Sequence, residues 1–414
     1  MTKHRPAPLK TFTVGAALAF TAFSASAQQM FPSPSTPPAL PQQDAFYVPP
    51  IDQELGSVAP GTVLRYREVT AKAYYLFPVK GKAWQLMYRS TNHKGQPVAM
   101  VGTVLVPENA PAQQRKLLSY NTAYDALSPI CAPSYEFLKG TALEQALIQS
   151  ALKEGMVVMS PDYEGLQSLW TVGVNSGNGV LDGIRAAERF APAGLDGVNT
   201  PVAITGYSGG SIAAAWANEL YRSYAPELNI KGVAAGGVPV DLGNVARKVD
   251  GKLFAGVYFG ATTALARGYP EIDVQALTND KGKAMMAKAA DMCLGQFLAG
   301  APDPLTAFAF QKMKDLVTVP DLLEVPSVKR VIAENRLGQR KPGAPMYIYQ
   351  GTLDEMMPIA DVDGLVKQYC AAGVRVTYTK TFNDHILLAV TGFGKAFSFL
   401  KDRLNGVPVS SNCR

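Results

Sequence analysis

Histidine is nearly missing from this chain: His4, His93 and His385 are the only three in 414 residues. Cysteine is confined to Cys131, Cys293, Cys370 and Cys413, with no Cys-x-x-Cys pair among them. These shortages argue against the usual nitrogen- and sulfur-rich metal sites, so no metal ligand set is expected. Long apolar runs are missing as well. Beyond the N-terminal segment no stretch reaches the roughly 18 uninterrupted apolar residues of a membrane-spanning helix, which predicts a soluble mature protein. No basic cluster with interleaved aromatics and no internal repeat occurs, so nucleic acid is not an expected partner.

What is present begins with a secretory signature. Lys3, Arg5 and Lys10 form a basic start, Phe12 to Phe23 a short apolar core, and Ala25-Ser26-Ala27 a small-residue cleavage site. The expected signal peptide is 1–27, which places the mature chain outside the cell or in the periplasm. Losing those three charges takes the 39 basic groups to 36 against 33 acidic, so the mature chain is close to neutral. Residues 28–50 hold Pro32, Pro34, Pro37, Pro38, Pro41, Pro49 and Pro50 and predict an extended, poorly ordered leader. Phe46 and Tyr47 support a different reading, an arm anchored on the globule. Residues 51–414 then form one catalytic domain carrying an insertion.

Residues 201–216 read as an apolar strand, a Gly-x-Ser-x-Gly turn and an Ala-rich helix. A nucleophile elbow needs that context, because the turn holds a strained serine with its hydroxyl exposed at the end of a sheet. Gly206, Gly209 and Gly210 leave room around Ser208. An activated serine of this kind needs a histidine base. His4 falls in the signal, and His93 precedes Ser208 where the elbow order is Ser, Asp or Glu, His. His385 is left, in a polar loop after the alternating run 374–378. For the acid, Asp354 follows the apolar run 345–351. Glu355 beside it and Asp241, which follows an earlier strand, are alternatives.

Strand-like runs at 85–89, 99–106, 116–120, 156–160, 202–205, 232–235, 346–349 and 374–378 alternate with helical stretches such as 141–154, 183–190 and 211–221. Several runs are continuously apolar, as parallel strands buried on both faces should be, so an α/β fold with a mostly parallel sheet is expected. About 110 residues separate the runs at 235 and 346, where a crossover needs roughly a dozen. We read this interval, about 241–340, as a helical cap over Ser208. Its apolar segments 294–298 and 305–310, with Phe297 and Phe308, suit an acyl chain and allow contact with a lipid interface. An accessory subdomain is the alternative. The even cysteine count suggests two disulfides, with three pairings open.

With Gly-Tyr-Ser-Gly-Gly at 206–210, Tyr124-Asp125, Cys131-Ala-Pro-Ser-Tyr135 and Ser160-Pro-Asp-Tyr-Glu-Gly165 in view, the chain resembles the secretory lipase family over most of 60–414. The resemblance implies an α/β-hydrolase fold with a helical cap inserted before the acid strand, and a triad of Ser208, Asp354 and His385. It also implies disulfides Cys131–Cys293 and Cys370–Cys413 and an oxyanion hole at Asp125 and Gly209. Gly209 has a second basis, since the residue after the nucleophile offers its N–H to the developing charge. An ionised Asp125 would repel that charge, so Asp125 must use its backbone or be protonated. Asp162 reads as a structural turn acid. The chemistry implied is hydrolysis of an acyl ester, most readily a triacylglycerol, without a cofactor. A short-chain or polyester esterase, an acyltransferase and a catalytically silent binding protein are the competing readings.

Overall fold

β-Branched and small apolar residues in continuous runs build a twelve-strand framework in this computed structural model. It describes residues 1–2, 28–74, 77–108, 110–112, 114–142, 144–290, 292–293 and 306–413. The expected signal peptide, except for its first two residues, and the apolar segment 294–298 with Phe297 lie outside the described residues. In chain order the strands are β1 (Gln29–Met30), β2 (Val63–Val69), β3 (Lys72–Ala73), β4 (Phe77–Pro78), β5 (Lys82–Thr91), β6 (Pro97–Val106), β7 (Leu117–Asn121), β8 (Val157–Pro161), β9 (Val202–Tyr207), β10 (Ile230–Gly236), β11 (Met346–Gly351) and β12 (Val376–Thr381). All but the small β3–β4 pair join one sheet in the order β1-β2-β5-β6-β8-β7-β9-β10-β11-β12. From β8 through β12 every pair is parallel, while β2, β5, β6 and β8 pair antiparallel in turn.

Neighbouring residues of the parallel strands feed opposite cores, as the two-residue period requires. Leu117 and Ile204 pack into one core with the helices Gly173–Arg189 and Gly209–Tyr224. Leu118 and Ala203 pack into the other with Gln145–Lys153 and Phe393–Leu404. Both faces are covered, which is why β9 reads as a continuous apolar run rather than an alternating one.

The Pro-rich stretch differs from an unordered leader. Met30 pairs with Tyr66 in β2, and Phe46 is 0% exposed. Arg67 lies over the Phe46 ring at 4.3 Å and bridges to Asp44 at 2.8 Å. The Tyr47 hydroxyl meets Ser134 Oγ at 2.9 Å. Proline lowers the entropy lost on ordering such a segment, and the two aromatic anchors supply the burial that holds it down.

Between β10 and β11 the chain leaves the sheet. It forms the helices Leu242–Val249, Ala255–Gly268, Val274–Leu277, Asp280–Ala289 and Pro326–Glu334. These share a third core with Trp170 and Val172 of the sheet domain and with Met356 and Met357, just past Asp354. Phe308 is buried inside this layer, its ring 5.2 Å from that of Phe259. A Cys131–Cys293 disulfide joins the layer to the segment after β7, and Cys370–Cys413 joins the helix Ile359–Ala371 to the tail. No helix among the described residues is long and apolar enough to cross a membrane.

Candidate active site

Strand β9 ends at Tyr207, and Ser208 follows with φ of 49° and ψ of −122°, a backbone conformation costly for a residue with a side chain. The strain is held by packing on both sides. A Cβ at Gly210 would stand 1.9 Å from the Asn121 carbonyl oxygen, and one at Gly209 would stand 1.6 Å from Asp125 Oδ1. A side chain at Gly210 would strike backbone, and one at Gly209 would displace the Asp125 carboxyl. Gly209 opens the helix Gly209–Tyr224, so its N–H belongs to the first turn, which has no partner within the helix.

The parallel order brings the ends of β9, β11 and β12 to one edge of the sheet. There Ser208 Oγ lies 2.9 Å from His385 Nε2, and His385 Nδ1 lies 2.7 Å from Asp354 Oδ2. All three side chains are buried. Asp354 is further fixed by N–H donation from Met356 at 2.9 Å and Met357 at 2.7 Å. Burial pushes its carboxyl up, but the His385 hydrogen bond and charge and these two N–H groups outweigh it and hold it below the usual range.

Of the two other acids considered, neither reaches the imidazole ring. Glu355 accepts the backbone N–H of His385 at 3.0 Å. Asp241 caps the helix Leu242–Val249, accepting from Gly243 at 2.9 Å and Asn244 at 3.2 Å. His93 sits elsewhere, its Nε2 at 2.8 Å from the Gly268 carbonyl.

Asp125 follows β7, the direct neighbour of β9, and adopts φ of 38° with its carboxyl against Gly209. The two short motifs around it are its scaffold. Asp162 accepts from the Ser134 N–H at 2.9 Å and the Ser134 hydroxyl at 2.6 Å, Tyr163 donates to the Thr122 carbonyl at 2.9 Å, and the Glu164 N–H donates to Tyr124 at 2.7 Å. On the other side Glu144 accepts the Ala123 N–H at 3.3 Å. Burial raises Glu144 to about 7 and Glu164 well above the carboxylate range.

Two side chains escaped the sequence reading. Gln350 donates to Asp354 Oδ2 at 2.7 Å from inside β11, and Tyr207 donates to the His385 carbonyl at 2.6 Å. Gln350 was the one amide in an apolar run, a signal available but easily passed over. A cavity against Ser208 and Gly209 is walled by Ile212 and Trp170 below and by Val257, Leu265, Val328 and Ile332 of the inserted layer. Such a constellation can ionise a serine through a histidine beside an apolar chain. Among the described residues no group of three or more His, Cys, Asp or Glu is arranged to hold a metal ion.

Known proteins carry the same architecture. The chain is 37% identical over 388 residues to a probable inactive lipase of Mycobacterium tuberculosis, covering 91% of this chain and 85% of that protein. It is 35% identical over 404 residues to Lipase A of Arthroderma benhamiae, covering 91% and 82%. The crystal structure of Candida antarctica lipase A in its closed state superposes with a TM-score of 0.83 at 30% identity, over 91% of this chain and 89% of that one. The fold is the α/β-hydrolase fold with a mostly parallel central sheet. A family described as secretory lipase matches residues 138–412, and with relatives of this identity and coverage the chain belongs to the secretory lipase family.

Proposed function

We propose that this protein is an exported carboxylic-ester hydrolase of the lipase type, acting through Ser208, His385 and Asp354. The observation that carries the reading is the unbroken hydrogen-bond path from Ser208 Oγ through both nitrogens of His385 to Asp354 Oδ2. His385 Nε2 takes the serine proton as Oγ attacks the acyl carbonyl. The imidazolium returns that proton to the leaving alkoxide, and the alcohol departs. Water, deprotonated in turn by His385, then releases the acid and restores Ser208. Asp354 keeps Nδ1 protonated and stabilises the imidazolium without taking its proton.

In this reading the Gly209 N–H, supplemented by the backbone N–H or protonated carboxyl of Asp125, stabilises the tetrahedral oxyanion, a contribution on the order of 3 kcal/mol per good donor. The closeness of the two supports this: the Asp125 carboxyl packs directly against the Gly209 backbone, in the space a side chain there would fill. The inserted layer supports an acyl-chain site because its apolar residues wall the cavity at Ser208. Two disulfides and the family support export.

A catalytically silent binding protein is the second reading, favoured by the inactivity ascribed to the Mycobacterium tuberculosis relative. A fluorophosphonate probe with peptide mapping, run beside a p-nitrophenyl ester series from acetate to palmitate, separates them. Labelling of Ser208 with turnover is the expected result. An unlabelled, folded protein with no turnover on any chain length would make the binding reading the correct one.

A further inference from the structure

The short helix His385–Thr391 is built inside out. Its inward positions, His385 and Leu388, are 3% and 1% exposed. Apart from Thr391 at its end, its outward positions are apolar instead of polar: Ile386 is 55% exposed, Leu387 51% and Val390 70%. Residues three and four apart share a helix face, so these three side chains form one ridge. Phe382, 79% exposed, leads into the helix, and Leu353, 51% exposed, joins it because the Leu353 N–H donates to the Asn383 carbonyl at 3.2 Å. Single exposed apolar residues are ordinary on a protein surface, but a contiguous group of this size marks a contact site.

We propose that this ridge seats the protein on a neutral or zwitterionic lipid surface. Charge selects the occupant. Between Phe382 and Gly392 the only charged residue is Asp384, and its carboxylate accepts the Leu387 N–H at 2.8 Å. The lysine two residues before Phe382, Lys380, is paired with Asp363 at 2.8 Å, and exposed Lys395 belongs to the following helix, so the ridge itself attracts a surface through hydrocarbon contact. Position supports the same occupant. Leu353 immediately precedes Asp354 and Ile386 immediately follows His385, so a lipid phase held here lies at the rim of the proposed site, whose cavity is itself walled by aliphatic side chains. The contact is thereby moved from the inserted layer, where sequence analysis put it, to the loops that carry the acid and the base. The inserted layer does expose Leu253 and Phe310, but beside Lys252 and Lys312.

The inference rests on the ester-hydrolase reading for its purpose but not for its test. Sedimentation with phosphatidylcholine vesicles is measured in the Ser208→Ala background, so no lipid is consumed. A Phe382→Gln/Leu387→Gln/Val390→Gln triple variant, with its fold checked by circular dichroism, should lose roughly 10-fold or more in partition coefficient. Phe310→Gln should lose little, and high salt should not release the parent protein. In the Ser208 protein the triple change should leave p-nitrophenyl acetate hydrolysis intact while lowering turnover of an emulsified long-chain ester. Vesicle binding by the triple variant equal to the parent's, no binding by the parent, or binding only to anionic vesicles would overturn the proposal. So would a concentration-dependent dimer that the triple change abolishes without any vesicle binding, which would assign the ridge to a second copy of this chain. Absence of ester turnover in every variant would count against the proposed function and leave the sedimentation result to decide this one.

Discussion

Gln350 and His385 bond the same carboxylate oxygen: Gln350 Nε2 and His385 Nδ1 each lie 2.7 Å from Asp354 Oδ2. Gln350 is fully buried, and its own Oε1 accepts the Val238 N–H at 3.3 Å, so the amide is fixed at both ends and sets the direction in which Asp354 faces the imidazole. Replacing it with Leu should lower kcat by roughly 10-fold with KM little changed, the value of one hydrogen bond to a charged group. Losing that donor also raises Asp354 from its depressed position. The stability and activity that need ionised Asp354 should then be lost at a higher pH on acidification than in the parent. A pH–rate profile checks the sign. An unshifted acid limb would limit Gln350 to packing.

The triad itself should behave as a unit. Ser208→Ala and His385→Ala should each reduce kcat by roughly 10⁴-fold or more, and the double variant should be no worse than either alone. Asp354→Asn should cost about as much through the wrong imidazole tautomer. Asp241→Asn should keep most activity, since Asp241 serves a helix cap and a 3.6 Å contact with Arg336. Asparagine caps a helix about as well as aspartate, so stability should change little, whereas Asp241→Ala should lose about 1 kcal/mol with activity kept. Steady-state kinetics on a soluble ester, with urea melts alongside, distinguishes the two kinds of loss.

Acid should stabilise this protein more than its triad would suggest. Burial raises Glu136 and Glu188 to about 8 and Glu144 and Asp162 to about 7. For an acid whose folded pKa is raised, folding is unpenalised below the unfolded value near 4, and the penalty grows until pH passes the folded value. Asp354 runs the other way, its contribution appearing above the unfolded value and fading on acidification. Glu164, Asp182, Glu219 and Asp361 are raised as well, and the depressed acids besides Asp354 are Glu227, Glu271 and Glu324, mostly at the surface, so the buried raised groups dominate and predict a Tm that falls between pH 5 and pH 8. Glu188→Gln removes a raised acid that lies outside the site and should flatten that slope. Calorimetry across the range tests both, and a rising Tm would contradict the assignment.

The strained turn at Ser208 and the histidine that lies 2.9 Å from it were legible because the proposed chemistry restricts the residue types so tightly. A strained Ser208 demands small neighbours at fixed spacing, and histidine scarcity left His385 with little competition. The eight strand-like runs correspond to β5 through β12, the last starting at Val376 rather than 374 and lying at the sheet edge. Strand β2 went unseen because its sequence, Val-Leu-Arg-Tyr-Arg-Glu-Val, carries charges, one of which, Arg67, is buried through partners distant in sequence: Gln85 in β5 and Asp44 and Phe46 in the arm. The helix Gly173–Arg189 starts ten residues before the expected stretch, since Gly-Val-Asn-Ser-Gly-Asn-Gly reads locally as a loop. Tertiary packing overrides propensity there: a Cβ at Gly173 would fall 2.1 Å from the Trp216 ring, so the glycines that weaken the helix are what let the two helices touch. Gln350 illustrates a different limit, for its importance depends on what β11 lies beside.

Acyl-chain length should be controlled by the cavity wall, and the structure changes which residues to test. Phe308, expected from sequence to line the acyl site, packs against Phe259 inside the inserted layer and does not wall the cavity at Ser208. Phe308→Ala should therefore cost about 3–5 kcal/mol of stability, as a large buried truncation does, while the order of preferred esters stays the same. Ala261, which faces the cavity between Val257 and Leu265, is the better probe. Ala261→Phe places a ring in the apolar space an extended chain would occupy, and it should reduce turnover of palmitate esters by roughly 10-fold or more relative to acetate, since only the longer chain must displace it. The p-nitrophenyl ester series reads this out directly. An equal loss on acetate and palmitate would mean that acyl chains leave Ser208 by another route, and the inserted layer would then be an accessory to the fold rather than a wall of the acyl site.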